Sequence, residues 1–238
     1  MKLGLNGVLV CGLLLMAWAC GPSGSSKSEL KVYGAMHEAM HGGKIAGVVR
    51  LDTVAQNAKV YGLGPGEFIR GELLIWEGHV YMASINEGGQ MEVKENPTAK
   101  APFFVATEIE NWEMLELPDS VNELMALEKF LTQRSGSSEG PFAFKLLGNM
   151  KKAEVHVVNL PLGSKVRKPE DAHIGQQNFE FENEEAVVLG FFSKVHQGIF
   201  THHDRFVHAH WMSRDKQKLG HLEDLSFSPE SVELWIQK

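Results

Sequence analysis

The sequence predicts an α+β, sheet-rich fold with few helices, and three observations carry that prediction. Runs rich in β-branched and aromatic residues, separated by turn residues, recur along most of the chain: GELLIWEGHVYMAS, APFFVATEIENWEMLEL, PFAFKLLGNM, AEVHVVNLP and FEFENEEAVVLGFFSK. Helical spacing is confined to two stretches. The chain has 238 residues, of which 43% are hydrophobic and 22% charged, enough for one substantial core or two small ones.

The N-terminus, MKLGLNGVLVCGLLLMAWACGPSGSS, starts with Lys2, runs apolar from Val8 to Ala19 and reaches Cys20 ahead of a Gly/Pro/Ser stretch. This is the anatomy of an export signal, too short to span a bilayer comfortably with such flanks. Ala17 and Ala19 ahead of Cys20 resemble the lipobox of bacterial lipoproteins, in which the cysteine is lipidated. The expectation is a signal peptide over 1–19, lipidation of Cys20, a flexible tether over 20–30, and a place in the bacterial cell envelope, anchored in the membrane through Cys20. An ordinary signal cut nearby would instead give a secreted protein. Cys11 and Cys20 are the only cysteines, so cleavage at Cys20 leaves neither a free thiol nor an internal disulfide. Any metal must then be held by His, carboxylate and water.

Next, ELKVYGAMHEAMHGG has helical spacing at Val32, Met36 and Met40 and stops on Gly42 and Gly43. His37 and His41 lie four apart on one face, either a metal pair or, with no third ligand near in sequence, a solvated helix face. In YGLGPGEFIRGELLIWEGHVYMAS the residues Gly62, Gly64, Pro65 and Gly66 read as a turn, followed by two strands about Glu77 and Gly78. The second helix is LPDSVNELMALEKFLTQRSGSSEG, where Ser120 and Glu123 have capping-box spacing and Val121, Leu124, Leu127 and Leu131 trace a stripe. The loop Ser135–Gly140 is the candidate boundary between subdomains of about 31–134 and 141–238. A formal charge of −7 with no Lys/Arg block argues against nucleic acid as a partner. Nucleotide-binding Gly-rich motifs and GxSxG are absent.

The chemistry-bearing segment is FVHAHWMSRDKQKLGHLED, Phe206 to Asp224. On a strand from Phe206 to Ser213, His208 and His210 share a face, and a loop at Arg214–Gln217 brings His221 opposite His210. Three imidazoles arranged this way can hold Zn²⁺, or another divalent metal, with one position open. The pattern alone fits a hairpin carrying surface histidines equally well, since His202 and His203 lie close by.

The segment FVHAHWMSRDKQKLGHLEDLSF resembles the metal-binding segment of the alpha-acetolactate decarboxylases, and GLGPGEFIRGELLIWEGHVY resembles that family's Gly-Leu-Gly turn and Gly-Glu-Leu strand. PFAFKLLGNMKKAEVHVVNLP and FEFENEEAVVLGFFS resemble its two central strands, and the likeness runs from about Val32 to Phe227. It implies two packed mixed β-sheet subdomains with the metal in the cleft between them. It further implies zinc on His208, His210 and His221, and Glu72 as the acidic residue beside the metal. The implied activity is a carboxy-lyase converting the small hydroxy-keto acid 2-acetolactate to acetoin. The metal would act as Lewis acid on the enediolate and Glu72 would transfer a proton. A homodimer is compatible with this reading.

Three features depart from the family. His156 stands where the family usually has an arginine, which grips carboxylates through two parallel N–H bonds. The chain ends at Lys238, where the family generally continues and supplies a further glutamate; Glu223 could lie near the metal in its place or be a solvated strand residue. GPGEF replaces the usual Gly-Thr-Phe. The competing readings are a non-catalytic metal- and small-acid-binding lipoprotein of the same fold, and hydration or hydrolysis by metal-activated water.

Overall fold

The computed structural model describes residues 29–136 and 140–238, together with Met1. The signal segment, Cys20 and the tether through residue 28 lie outside the described residues, Met1 apart. The chain runs β1 (Lys31–Tyr33), α1 (Met36–Gly42), β2 (Val49–Arg50), β3 (Val60–Pro65), β4 (Glu72–Trp76), β5 (His79–Ile85), β6 (Met91–Glu95), β7 (Lys100–Ala101), β8 (Phe104–Glu108) and β9 (Trp112–Leu115). It continues with α2 (Leu124–Arg134), β10 (Phe142–Val157), α3 (Pro169–Ala172), β11 (Gln177–Phe192), β12 (Val207–Ser213) and β13 (Leu219–Gln237). Strands dominate and helices are few, as the sequence predicts.

Two sheets pack face to face. The first has the order β1-β8-β3-β4-β5-β6, and the second β10-β11-β12-β13-β9. Because β13 also pairs with β10, the four strands β10 to β13 close on themselves. Every strand pairing in both sheets is antiparallel, a correction to the mixed arrangement expected. The physical reason is that tight turns dominate the connections, whereas adjacent parallel strands need long crossovers. β4 and β5, for instance, are joined by Glu77 (φ 51) and Gly78 (φ 78), the doubly left-handed turn that suits the twist of a hairpin.

Between the sheets lies one apolar layer, in which Leu63, Leu74, Trp76 and Tyr81 of the first sheet meet Val157, Leu189, Met212 and Leu219 of the second. The outer face of β4, Leu73 and Ile75, packs into a separate cluster with Val49 and Phe104. Trp211, Ala209, Leu222 and Phe144 join Leu124, Leu127 and Leu131 of α2 in a third. Strand alternation thus decides which side chains reach the cleft: Glu72 shares its face with Leu74, and His208 and His210 share theirs with Met212.

Several elements differ from their sequence reading. Of the glycines of GLGPG, Gly66 opens a turn, its carbonyl accepting from Arg70 N at 3.4 Å; Gly62 and Gly64 are instead buried inside β3, where a Cβ on Gly62 would sit 2.6 Å from the Phe104 ring and one on Gly64 2.6 Å from the Phe103 carbonyl. Close approach of β8, rather than chain reversal, selects glycine there. Val32 lies in β1, and the first helix begins at Met36 and ends, as expected, at Gly43 in the left-handed conformation (φ 63). Ser120 does not cap α2. Glu123 is its N-cap without a side-chain cap, because Glu123 is drawn into a bridge with Ser226 while Phe227 N donates to Asn122 O at 2.9 Å. APFFVATEIENWEMLEL splits: β8 stays in the first sheet and β9 joins the second. The chain therefore passes between sheets ahead of the Ser135–Gly140 loop. PFAFKLLGNM and AEVHVVNLP are one continuous strand, β10, with register shifts.

Candidate metal centre between the sheets

Adjacent strands of the second sheet set histidines side by side. His210 on β12 pairs with His221 on β13, and His221 pairs in turn with His156 on β10. The β12–β13 turn falls where the sequence places it, with Lys216 at φ 61 and Ser213 N donating to Lys218 O at 3.0 Å. Gly220, before His221, lets β10 come close: a Cβ there would lie 2.8 Å from the His156 carbonyl oxygen. His208 Nε2 lies 3.1 Å from His221 Nδ1, and the His208, His210 and His221 rings have centroids 4.9–5.5 Å apart. His156 stacks on His221 at 4.6 Å and 27°.

From the first sheet, β4 brings Glu72 across the cleft. Its Oε2 is 3.4 Å from His210 Nε2 and its Oε1 3.8 Å from His156 Nε2, and Val158 N donates to Oε1 at 3.3 Å. Glu72, His156, His208, His210 and His221 are all buried. Glu72, His156, His208 and His221 line a cavity of about 290 Å³ together with Met36, Phe103, Val158 and His173, and His210 lies behind them against Glu72. His208, His210, His221, Glu72 and His156 are thus brought together. His37 and His41 stay exposed on α1 as a solvated face at the cavity rim, where His37 Nδ1 donates to Gly198 O at 2.9 Å.

Burial decides the charge states. It lowers His208 and His221 well below the ordinary imidazole value, with neighbouring histidines adding to the effect, and lowers His210 to about 3, with His156 adding. Glu72 is pushed well above the usual carboxylate range by burial, partly offset by the Val158 N–H, with Glu223 adding repulsion. Burial pushes the Glu72 carboxyl up and the His210 imidazole down, so it works against an ion pair in their contact. Glu223 is shifted the other way, held low chiefly by its hydrogen bond from His156 Nδ1 at 2.6 Å.

The residues fit a divalent cation. One ring nitrogen from each of His208, His210 and His221 can be chosen so that the three lie within 4.8 Å of one another. Both nitrogens of His210 and Nδ1 of His208 are buried without a hydrogen bond of good geometry among the described residues, the Leu73 and Phe200 backbones acting on these rings only weakly. Orphaned ring nitrogens of this kind call for an explanation, and an ion supplies one for the nitrogen that carries no hydrogen. A tetrahedral Zn²⁺ with bonds of about 2.0–2.1 Å spaces its donors roughly 3.4 Å apart, close to the His208–His221 separation. The imidazoles are already neutral, so no proton has to leave before a metal binds. A second group, His156, His221 and Glu223, has similar spacing, although its His156 and Glu223 are already hydrogen-bonded.

A pH prediction follows for the metal-free protein. A histidine whose folded pKa is depressed destabilises the fold once the unfolded chain binds protons, so stability is full above about pH 6.5 and falls with acid toward the folded pKa. Each of the three contributes up to about 1.4 kcal/mol per pH unit in that window. Urea midpoints should drop between pH 7 and pH 5 and recover in a His210→Leu variant by the share of one histidine; a flat profile would contradict it.

Sequence reading missed His173, whose ring centre is 6.1 Å from that of His156, and gave no site role to His202, 5.6 Å from His221. Both lie outside the strands, where no spacing rule predicts which way a side chain turns.

Comparison with known proteins follows the same outline. The family model described as Alpha-acetolactate decarboxylase matches residues 33–238. An alpha-acetolactate decarboxylase from Brevibacillus brevis is 26% identical over 178 residues, covering 73% of this chain and 58% of that protein. The chain thus spans under two thirds of that relative's length. Among solved structures, a protein of unknown function similar to alpha-acetolactate decarboxylase from Staphylococcus aureus superimposes with a TM-score of 0.72 at 18% identity. The alpha-acetolactate decarboxylase of Bacillus subtilis strain 168 gives 0.71 at 19%. Both matches cover 87% of this chain and 84% of the other, and at such identities they speak for the fold alone.

Proposed function

The chain belongs to the alpha-acetolactate decarboxylase family, and from that premise we propose that it is a metal-dependent carboxy-lyase converting 2-acetolactate to acetoin and CO₂. The observation that carries this reading is a buried carboxyl, Glu72, set against three clustered, buried imidazoles at a cavity sized for a small acid. His208, His210 and His221 would hold the divalent cation, Zn²⁺ in this reading. Bound there, it supplies Lewis acidity toward the substrate's hydroxyl and keto oxygens.

This chain's residues do the rest. Three neutral imidazoles leave the ion its full charge. The bond between the substrate's carboxylate and C2 breaks, its electron pair moves toward the neighbouring ketone, and one proton must then reach C2. Burial favours the protonated form of Glu72, and its place against His210 makes it the candidate donor. Among the described residues lining the cavity there is no Lys or Arg, so orientation of the substrate falls to His156, whose Nε2 faces Glu72. The walls Met36, Ile69, Phe103 and Val158 limit water around the reacting carbon.

The test is direct. Zinc-loaded protein given racemic acetolactate should release acetoin, and a His208→Ala control should not. Absence of metal-dependent acetoin would remove the lyase reading. We also propose that the protein is lipid-anchored at the cell envelope through Cys20, on the strength of the alanine-flanked cysteine after an apolar run. Radiolabelled palmitate should enter the wild type and not Cys20→Ser, and equal labelling of both would refute the anchor.

A further inference from the structure

β13 breaks its regular pairing just after His221. Val155 pairs with Leu222 and Glu154 with Asp224, so Glu223 is the extra residue of a β-bulge. The bulge shifts the alternation: Leu222 and Leu225, three apart, enter the same core beneath α2, which an unbroken strand does not allow. Bulges beside sites re-aim side chains. Here the carboxylate is turned against His156, with Glu223 Oε1 2.6 Å from Nδ1, and the Glu223 side chain is 53% exposed where that of His156 is 5% exposed. A carboxylate only accepts, so Nδ1 carries the hydrogen and Nε2 is the atom turned to the cavity, 3.8 Å from Glu72 Oε1. Stacking on His221 sets the plane of the His156 ring, but stacking is indifferent to which nitrogen holds the hydrogen. The contact with Glu223 decides that.

We propose that Glu223, the bulged residue of β13, is a positioning residue that fixes the tautomer and orientation of His156, so that Nε2 is presented to Glu72 and to the substrate. The substrate end of this inference rests on the lyase reading; the tautomer does not. The geometry also offers a competing role, Glu223 as ligand to a second ion with His156 and His221. The contact already made between Glu223 and His156 favours positioning.

The experiment compares full-length wild type, Glu223→Gln and Glu223→Ala, each loaded with zinc. Long-range ¹H–¹⁵N spectra, with the His156 ring assigned by its loss in His156→Phe, should show hydrogen on Nδ1 in the wild type and in Glu223→Gln, whose amide oxygen still accepts. In Glu223→Ala the hydrogen should move to Nε2. With acetolactate, Glu223→Ala should lose about 10–100-fold in kcat, the usual cost of removing a group behind a site residue, and Glu223→Gln should recover most of it. Zinc stoichiometry should be one per chain in all three, with affinity changed less than about twofold. Hydrogen remaining on Nδ1 in Glu223→Ala overturns the proposal, and so does a second zinc lost with Glu223. If the wild type makes no acetoin, the lyase reading falls while the spectra still decide the role of Glu223.

Discussion

Replacing His210 by leucine is expected to abolish tight zinc binding while leaving the metal-free protein at least as stable as the wild type. His210 is fully buried, and neither ring nitrogen makes a hydrogen bond of good geometry among the described residues, the Leu73 backbone acting on it only weakly. A buried polar group left unpaired costs about 1–3 kcal/mol, and an apolar side chain of similar size removes that cost. The ordinary result of truncating a core residue is thus reversed. In the wild type, zinc at a thousandfold excess over its Kd should add about 4 kcal/mol of stability, and in His210→Leu that increment should vanish. Urea unfolding with and without zinc reads both effects. A variant that keeps the zinc increment would show that His210 is no ligand.

Glu72→Gln is expected to lower kcat by about 10²–10⁴-fold with zinc content unchanged, because glutamine keeps the shape and the hydrogen bond from Val158 N but has no transferable proton. Its stability signature is separate and has a definite sign. The folded-state pKa of Glu72 is raised, so the unfolded chain releases the proton first, above about pH 4.5, and the wild type loses stability as pH rises from there toward the folded pKa. Without metal, wild type and Glu72→Gln should unfold alike near pH 4 and diverge with the variant more stable at pH 7. Parallel curves across that range would mean that Glu72 is charged in the fold and cannot be the donor.

Local rules made the hairpin legible. The His-x-His spacing, the polar turn and the Gly-His that follows define two strands and their register, and His210 does pair with His221. They also made the β4–β5 hairpin and the end of α1 legible. Non-local events stayed hidden. Nothing near His156 in sequence says that β13 will close against β10 and stack His221 on it; that depends on pairing across 65 residues. Gly62 and Gly64 carry turn chemistry, and only the Phe104 ring on the neighbouring strand reveals them as strand residues. The capping spacing at Ser120 is locally sound but yields to the bridge between Glu123 and Ser226. For Glu223 the sequence left two readings open, near the metal or solvated, because the bulge that turns it against His156 depends on pairing with β10.

His156, His208, His210 and His221 ride on strands that close upon one another, whereas the Glu72 carboxyl rides on an open sheet across a layer of leucine and aromatic side chains. The grip on the cation and the reach of the acid are therefore mechanically separable. Under the proposed function, thickening the layer at Leu63 or Leu189 would draw Glu72 back without parting one imidazole from another.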